Sequence, residues 1–168
     1  MRKFLKNKKG LLFFVFSVLI IISIFCFKLL NKNLVFSKKK SCPSSFEVVV
    51  TKVIDGDTIL VEGGYHIRLL GIDADEKDYP CYLPAKKYLE NLILGKKVRL
   101  ERDKEDVDKY GRCLRYVFLN GKNVNLLLVK NGFAVARFYL PNLKYYKEIQ
   151  NAEKFAKEHK IGCKWKKK

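Results

Sequence analysis

The chain is poor in the residues that mark several common classes of protein. Four prolines and ten glycines are too few for a collagen-like or low-complexity chain. Two histidines and no Cys-x-x-Cys pair argue against a structural zinc site. No segment recurs at the periods of solenoids or propellers. The first forty residues contain no acidic side chain, against ten Lys and Arg.

What is present is charge of one sign and a large apolar fraction. The 168 residues carry 35 Lys+Arg and 17 Asp+Glu, a net charge of +18. Setting the leader aside leaves 25 basic and 17 acidic residues in 41–168, a net charge of +8. At 48% hydrophobic and 13% aromatic the chain is not disordered. About 125 residues after the leader make one domain with a real core.

Leu11 to Phe27 is apolar apart from Ser17 and Ser23, and Arg2, Lys3, Lys6, Lys8 and Lys9 precede it. The run lies at the short end of what spans a bilayer, and Leu29 and Leu30 extend it if Lys28 snorkels. No amphipathic face supports a buried helix. A cleaved signal requires small residues after the apolar stretch, whereas this one ends Phe25-Cys26-Phe27-Lys28. The reading favours an uncleaved anchor over residues 11–30, with a basic flank at 1–10 and a linker at 31–45. Lys28, Lys32 and Lys38 to Lys40 partly offset the first flank. That flank is denser, which places the N-terminus inside and the domain, 46–165 with a basic tail at 166–168, outside.

Cys42, Cys81, Cys113 and Cys163 remain once Cys26 is assigned to the apolar run. They admit three pairings, and an exported domain could oxidise them. Cys42 with Cys163 would tie the domain's ends and Cys81 with Cys113 a loop to a strand; four free thiols are the alternative.

Alternation and turn chemistry predict strands at Phe46–Val53, Thr58–Val61, Tyr65–Leu70, Val98–Glu101 and Cys113–Leu119. Gly63-Gly64 closes a hairpin, and Asp55-Gly56 and Asn120-Gly121 are turns. Helices are predicted over Pro84–Leu94, with Tyr88 and Leu92 on its apolar side, over a segment capped by Asn123 or Asn125 and ending at Val129, and over Leu143–Lys160. The last carries Tyr145, Ile149, Ala152, Phe155 and Ala156 on one side. The sum is α+β. A five-stranded Greek-key barrel of the OB type with about three helices, preceded by one transmembrane helix, fits it, and a generic α+β sandwich fits nearly as well.

The hairpin brings Asp57 and Asp73 to one end of the sheet, where hard oxygen ligands suit Ca²⁺ or Mg²⁺. Arg68 lies on a strand with no plain solvent face, so it needs an anionic partner, structural or functional. Arg112 follows the Lys109-Tyr110-Gly111 loop. Two forked cations beside a two-carboxylate metal site suit phosphoryl chemistry, with a third carboxylate to activate water.

These segments resemble the thermonuclease, or staphylococcal nuclease-like, family from about Phe46 to Trp165. The matching runs are Val53-Ile54-Asp55-Gly56-Asp57-Thr58, Arg68-Leu69-Leu70-Gly71-Ile72-Asp73 with Glu76, and Asp108-Lys109-Tyr110-Gly111-Arg112. Leu114 to Phe118, Val124-Asn125 through Gly132-Phe133-Ala134, and Tyr139-Leu140-Pro141-Asn142 follow. The resemblance implies an OB barrel and a Ca²⁺-dependent phosphodiesterase acting on DNA, RNA or both. It implies Asp57, Asp73 and the Ala74 carbonyl as Ca²⁺ ligands and Glu76 as general base or water-positioning group. It implies Arg68 and Arg112 as phosphate and transition-state ligands, and Lys109, Tyr110 and Tyr139 as the nucleotide pocket. Ala74-Asp75 stands where the family has Thr-Pro, and Arg137 where it has a pocket tyrosine. The alternative is an OB-fold nucleic-acid-binding module without turnover. Either would be a monomer with no protein partner.

Overall fold

The computed structural model describes residues 16–28, 42–43 and 47–166, in two units divided between Ser41 and Cys42. In the first unit, residues 16–28 form helix α1, exposed along its whole length. Its run of about 20 Å, at 1.5 Å per residue, is shorter than a hydrocarbon core of about 30 Å. Among the described residues no helix is long and apolar enough to cross a membrane. Residues 11–15 and 29–30 of the expected span lie outside them, as do residues 1–10, most of the linker and Lys167 and Lys168.

In the second unit the chain order is β1 (Glu47–Val53), β2 (Thr58–Val61), β3 (Tyr65–Leu69), β4 (Ile72–Ala74), α2 (Tyr82–Ile93) and β5 (Lys97–Glu101). Then come β6 (Cys113–Leu119), β7 (Lys122–Asn123), α3 (Val124–Lys130), β8 (Ala134–Ala136), α4 (Tyr146–Glu158) and α5 (Gly162–Trp165). β1 pairs antiparallel with β2 and β5, β2 with β3, and β5 with β6. A parallel pairing of β3 with β6, Ile67 opposite Cys113 and Leu69 opposite Arg115, closes the circuit. A closed barrel of five strands with helices outside it fits the OB fold. Its strands are the ones the alternation predicts, with shifts of a residue at some ends.

The core follows from that alternation on β3, β5 and most of β1, and on β6 from a run buried from Cys113 to Phe118. Val50, Val53, Ile59, Val61, Ile67, Leu69, Tyr116 and Val117 are at most 1% exposed, against α2, α3 and α4. On α2 the buried stripe is Ala85, Leu89 and Ile93, with Tyr88 and Leu92 only partly buried. The helix begins earlier than Pro84, and its buried stripe lies one position, about 100°, on from the expected one. On α4 Ile149, Ala152 and Ala156 are buried, while Phe155 stays 39% exposed and stacks on His159. α4 also starts later than Leu143. Asn142 Oδ1 accepts the N–H groups of Lys104 and Glu105, and Lys144 N–H donates to Asp103, so this stretch is bound to a loop. The β4–β8 ribbon and α5 carry too few residues to show a period.

The disulfides are Cys42–Cys113 and Cys81–Cys163, so neither half of the pairing of ends suggested by sequence forms, nor are these thiols free. Cys113 opens β6 beside Val107 and Asp106, and Cys42 lies against the Asp106 carbonyl. Cys81 and Cys163 both lie against the Gly132 carbonyl on the far side of α2's start.

Asn123 caps α3 by accepting the Leu126 N–H at 3.1 Å. Asn125, fully buried, works inward instead. Its Oδ1 accepts from Val117 N–H at 3.0 Å and its Nδ2 donates to the Leu70 carbonyl at 2.8 Å, tying α3 to β6 and to the turn after β3. Asn125→Leu strands both groups, so the unfolding free energy should fall by about 2–4 kcal/mol in urea titration. A loss within error would show that water replaces the amide.

Candidate active site

Three short segments converge at one end of the barrel. The Asp55-Gly56-Asp57 turn is set by Asp55 Oδ1, which accepts the Asp57 N–H at 2.9 Å. A Cβ on Gly56 would lie 2.5 Å from the Ala74 Cβ and 2.8 Å from the Ala85 Cβ, so only glycine lets this turn pack on β4 and α2. The Asp57 carboxylate is then buried, with Oδ2 accepting the Ala74 N–H at 2.9 Å and Oδ1 the Thr58 hydroxyl at 3.1 Å.

Arg68, near the end of β3, binds this cluster together. Its Nη1 donates to the carbonyls of Leu69 at 2.6 Å and Ile72 at 2.9 Å, which holds the β3–β4 turn shut. Its Nη2 stands between two carboxylates, Asp57 Oδ2 at 3.1 Å and Asp73 Oδ1 at 3.2 Å. Asp73 is the more open of the two, with 44% of its side chain exposed against 10% for Asp57.

Arg112 arrives from the loop before β6. Asp108 Oδ1 accepts the N–H groups of Tyr110 and Arg112, both at 2.9 Å, and Oδ2 takes the Arg112 Nε at 2.7 Å. Burial pushes the Asp108 carboxyl up, but the Arg112 and Tyr110 donors outweigh it and hold it below the usual carboxylate range. Arg112 Nη1 donates to the Thr58 hydroxyl at 3.3 Å, and that hydroxyl bonds Asp57. The two arginines are therefore ends of one chain of contacts, Arg112–Thr58–Asp57–Arg68–Asp73. Thr58 and Asp108 are the functional candidates that residue chemistry missed. Their signal was adjacency: each lies inside a motif already singled out.

Both guanidiniums line a cleft of about 530 Å³ with Lys109, Tyr110, Arg137 and Tyr139. Tyr110 and Tyr139 are 72% and 64% exposed, and Arg137 Nε donates to the Tyr139 hydroxyl at 3.2 Å. Arg112 lies 5.4 Å over the Tyr110 ring. The expected pocket residues thus meet at one cleft, with Arg137 added. Glu76 does not line it: it follows β4 in an exposed loop, two residues past Ala74.

A resident cation would have to use oxygen. Among the described residues no group of three or more His, Cys, Asp or Glu is placed to hold a metal on its own. The Asp57 and Asp73 carboxylates, however, both meet a single guanidinium nitrogen, and Ala74, whose carbonyl is a further oxygen, follows Asp73 and donates its N–H to Asp57. Two carboxylates and a carbonyl, completed by water, fit the all-oxygen preference of Ca²⁺.

Comparison with known proteins shows the family. The family model described as staphylococcal nuclease homologue matches residues 66–167. The chain is similar to the thermonuclease of Staphylococcus intermedius, 32% identical over 166 residues, which is 94% of this chain and 96% of that one. It is 39% identical over 120 residues to the thermonuclease of Staphylococcus hyicus, covering 66% and 71% of the two chains. It is 40% identical over 126 residues to endonuclease YncB of Bacillus subtilis (strain 168), covering 68% and 60%.

Burial pushes the Asp57 carboxyl up to about 6, even though Arg68, the Ala74 N–H and Thr58 pull the other way. Between the ordinary value of 3.8 and about 6 the folded chain keeps a proton that the unfolded chain has released. Stability conferred by this group is therefore lost as pH rises through that window. Asp57→Asn should raise the unfolding free energy at neutral pH in a chelating buffer, and the gain should vanish near pH 4. A less stable variant at neutral pH would mean that the Arg68 pairing outweighs burial.

Proposed function

The chain belongs to the staphylococcal nuclease homologue family, and on that premise we propose that it is a Ca²⁺-dependent nuclease hydrolysing phosphodiester bonds of DNA, RNA or both. The observation that carries this reading is the pair of arginines joined through Thr58 and Asp57 at the wall of one cleft. A module that only binds nucleic acid has no need of a buried carboxylate between two guanidiniums. The net +8 of residues 41–168 suits a polyanionic substrate.

In this reading Asp57, Asp73 and the Ala74 carbonyl hold Ca²⁺, which supplies Lewis-acid stabilisation of the phosphate when bound. Arg68 and Arg112 meet the phosphate from two sides. Both are already oriented, Arg68 by backbone carbonyls and Arg112 by Asp108, so little reorganisation is needed as charge grows on the equatorial oxygens. Lys109 and Tyr110 border the nucleotide, and Tyr139 offers an aromatic face for a base. Glu76 takes a proton from the attacking water or positions it.

We also propose that residues 11–30 anchor the chain in a membrane, with the nuclease unit on the extracytoplasmic side as a monomer. The apolar character of α1, exposed over 16–28, supports the anchor, and two disulfides in the second unit suit an oxidising compartment.

The deciding assay incubates the chain with single-stranded DNA in Ca²⁺ and in chelator. Cleavage should require Ca²⁺ and disappear in Asp57→Ala; cleavage that survives chelation refutes the metal assignment. A forked guanidinium meets two oxygens at once, which an ammonium cannot. Arg68→Lys and Arg112→Lys should therefore each lower kcat by about 10²–10³ with a smaller change in affinity. Glu76→Gln should collapse kcat, since an amide cannot take the proton. Normal turnover with lost affinity would favour the binding-module alternative.

For the anchor, fractionation should recover the nuclease unit in membranes and accessible to protease added outside intact cells. A soluble mature chain starting near residue 41 would replace anchor by cleaved leader.

A further inference from the structure

Asp75 sits between Ala74 and Glu76, and its side chain is spent on the far end of the chain. Its Oδ1 is paired with the Lys164 ammonium, with only 15% and 20% of the two side chains exposed. Its Oδ2 accepts the Cys81 N–H at 3.0 Å. Cys81 is bonded in turn to Cys163, the neighbour of Lys164. The Lys164 N–H donates to the Gly132 carbonyl at 3.0 Å. A Cβ on Gly162 would lie 2.5 Å from that same carbonyl oxygen, so the close seat of α5 depends on glycine.

None of this is required by the barrel. α5 buries no residue of its own and belongs to no sheet. A partly buried ion pair costs desolvation that its attraction barely returns, so a stability role is a weak account of it. What the three ties share is their target, the short loop that leaves β4.

We propose that α5 is a clamp on this loop, and that Asp75 and Lys164 are positioning residues for Ala74 and Glu76. The proposal rests on the nuclease reading for what those two residues do. The disulfide brings the C-terminal turn to the loop, the ion pair fixes Asp75, and Asp75 holds the Cys81 amide. The exit of β4 is thereby fixed from both sides: the Ala74 N–H on the Asp57 carboxylate and the Asp75 side chain on α5. A loop free to shift by about 1 Å would misplace a water-activating carboxylate enough to cost about 10²-fold in rate. This chain has no Thr-Pro at 74–75 to stiffen the segment, and the clamp substitutes for that rigidity with a tie from a distance.

The test compares the full chain with Lys164→Met, Lys164→Arg, and the paired Cys81→Ala and Cys163→Ala variant. Two readouts are used: kcat and KM on single-stranded DNA with Ca²⁺, and amide hydrogen exchange without substrate. Lys164→Met should lower kcat by about 10–100-fold while KM changes by less than about threefold. Lys164→Arg, which keeps the charge, should retain most of kcat. Asp75→Asn should cost little more when added to Lys164→Met, because both remove one interaction. In exchange, the Ala74, Tyr79 and Cys81 amides should open at least about tenfold faster in Lys164→Met and in the cysteine variant. The Ile67 and Val117 amides of the barrel should not change in Lys164→Met, whereas loss of the disulfide speeds them too, because it lowers global stability. An unchanged kcat in Lys164→Met overturns the clamp. If the native chain does not cleave at all, the nuclease reading falls, and the exchange of those three amides alone judges the clamp.

Discussion

One guanidinium nitrogen between two carboxylates is the constraint around which this end of the barrel is arranged. Arg68 Nη2 can reach Asp57 and Asp73 together only if the β3–β4 turn is tight, and Nη1 secures that turn through the carbonyls of Leu69 and Ile72. Asp57 in turn must stay buried against β4, and that is possible because Gly56 has no side chain to hold the two apart. Removing any one of these elements leaves the others without partners, so they stand as a unit rather than as separate contacts.

The burial of Asp57 shows which force prevails there. An ion pair with Arg68, a backbone N–H and a hydroxyl all favour the carboxylate, yet its proton is held more tightly than in water. Desolvation therefore exceeds the attraction the protein supplies.

The barrel was legible because buried Val, Ile and Leu alternate with outward positions on β3, β5 and most of β1; β2 and β6 are largely apolar runs, and Gly-Gly, Asp-Gly and Asn-Gly mark the turns. Arg68 stood out as a cation on a strand whose sequence shows no plain solvent face; His66 beside it is exposed, and the structure gives Arg68 two anions. The cysteine partners were not legible, because pairing depends on which loops meet, and three connectivities satisfy the same spacing. The side of α2 that packs inward was misread because Tyr88 and Leu92 lie one position, about 100°, from the buried Leu89 and Ile93, and apolar residues on both sides leave the phase open. Asn125 read as a possible cap since asparagine at a helix start usually is one; only the closeness of β6 and Leu70 made it an internal strut. Thr58 and Asp108 were hidden because their value lies in what they hold. The bond between Asp75 and Lys164 spans 89 residues, and no local pattern announces it.

The parallel seam between β3 and β6 has a consequence for when the site exists. Arg68 lies on one side of that seam, opposite Leu114, and Arg112 lies just before the strand on the other side. Between them in sequence come β4, α2 and β5. Pairing of this range is late in assembly, because it waits on loop closure that only earlier contacts can repay. The two guanidiniums are thus brought together only where that seam is paired. A chain still unfolded carries all the residues of the cleft and none of its geometry.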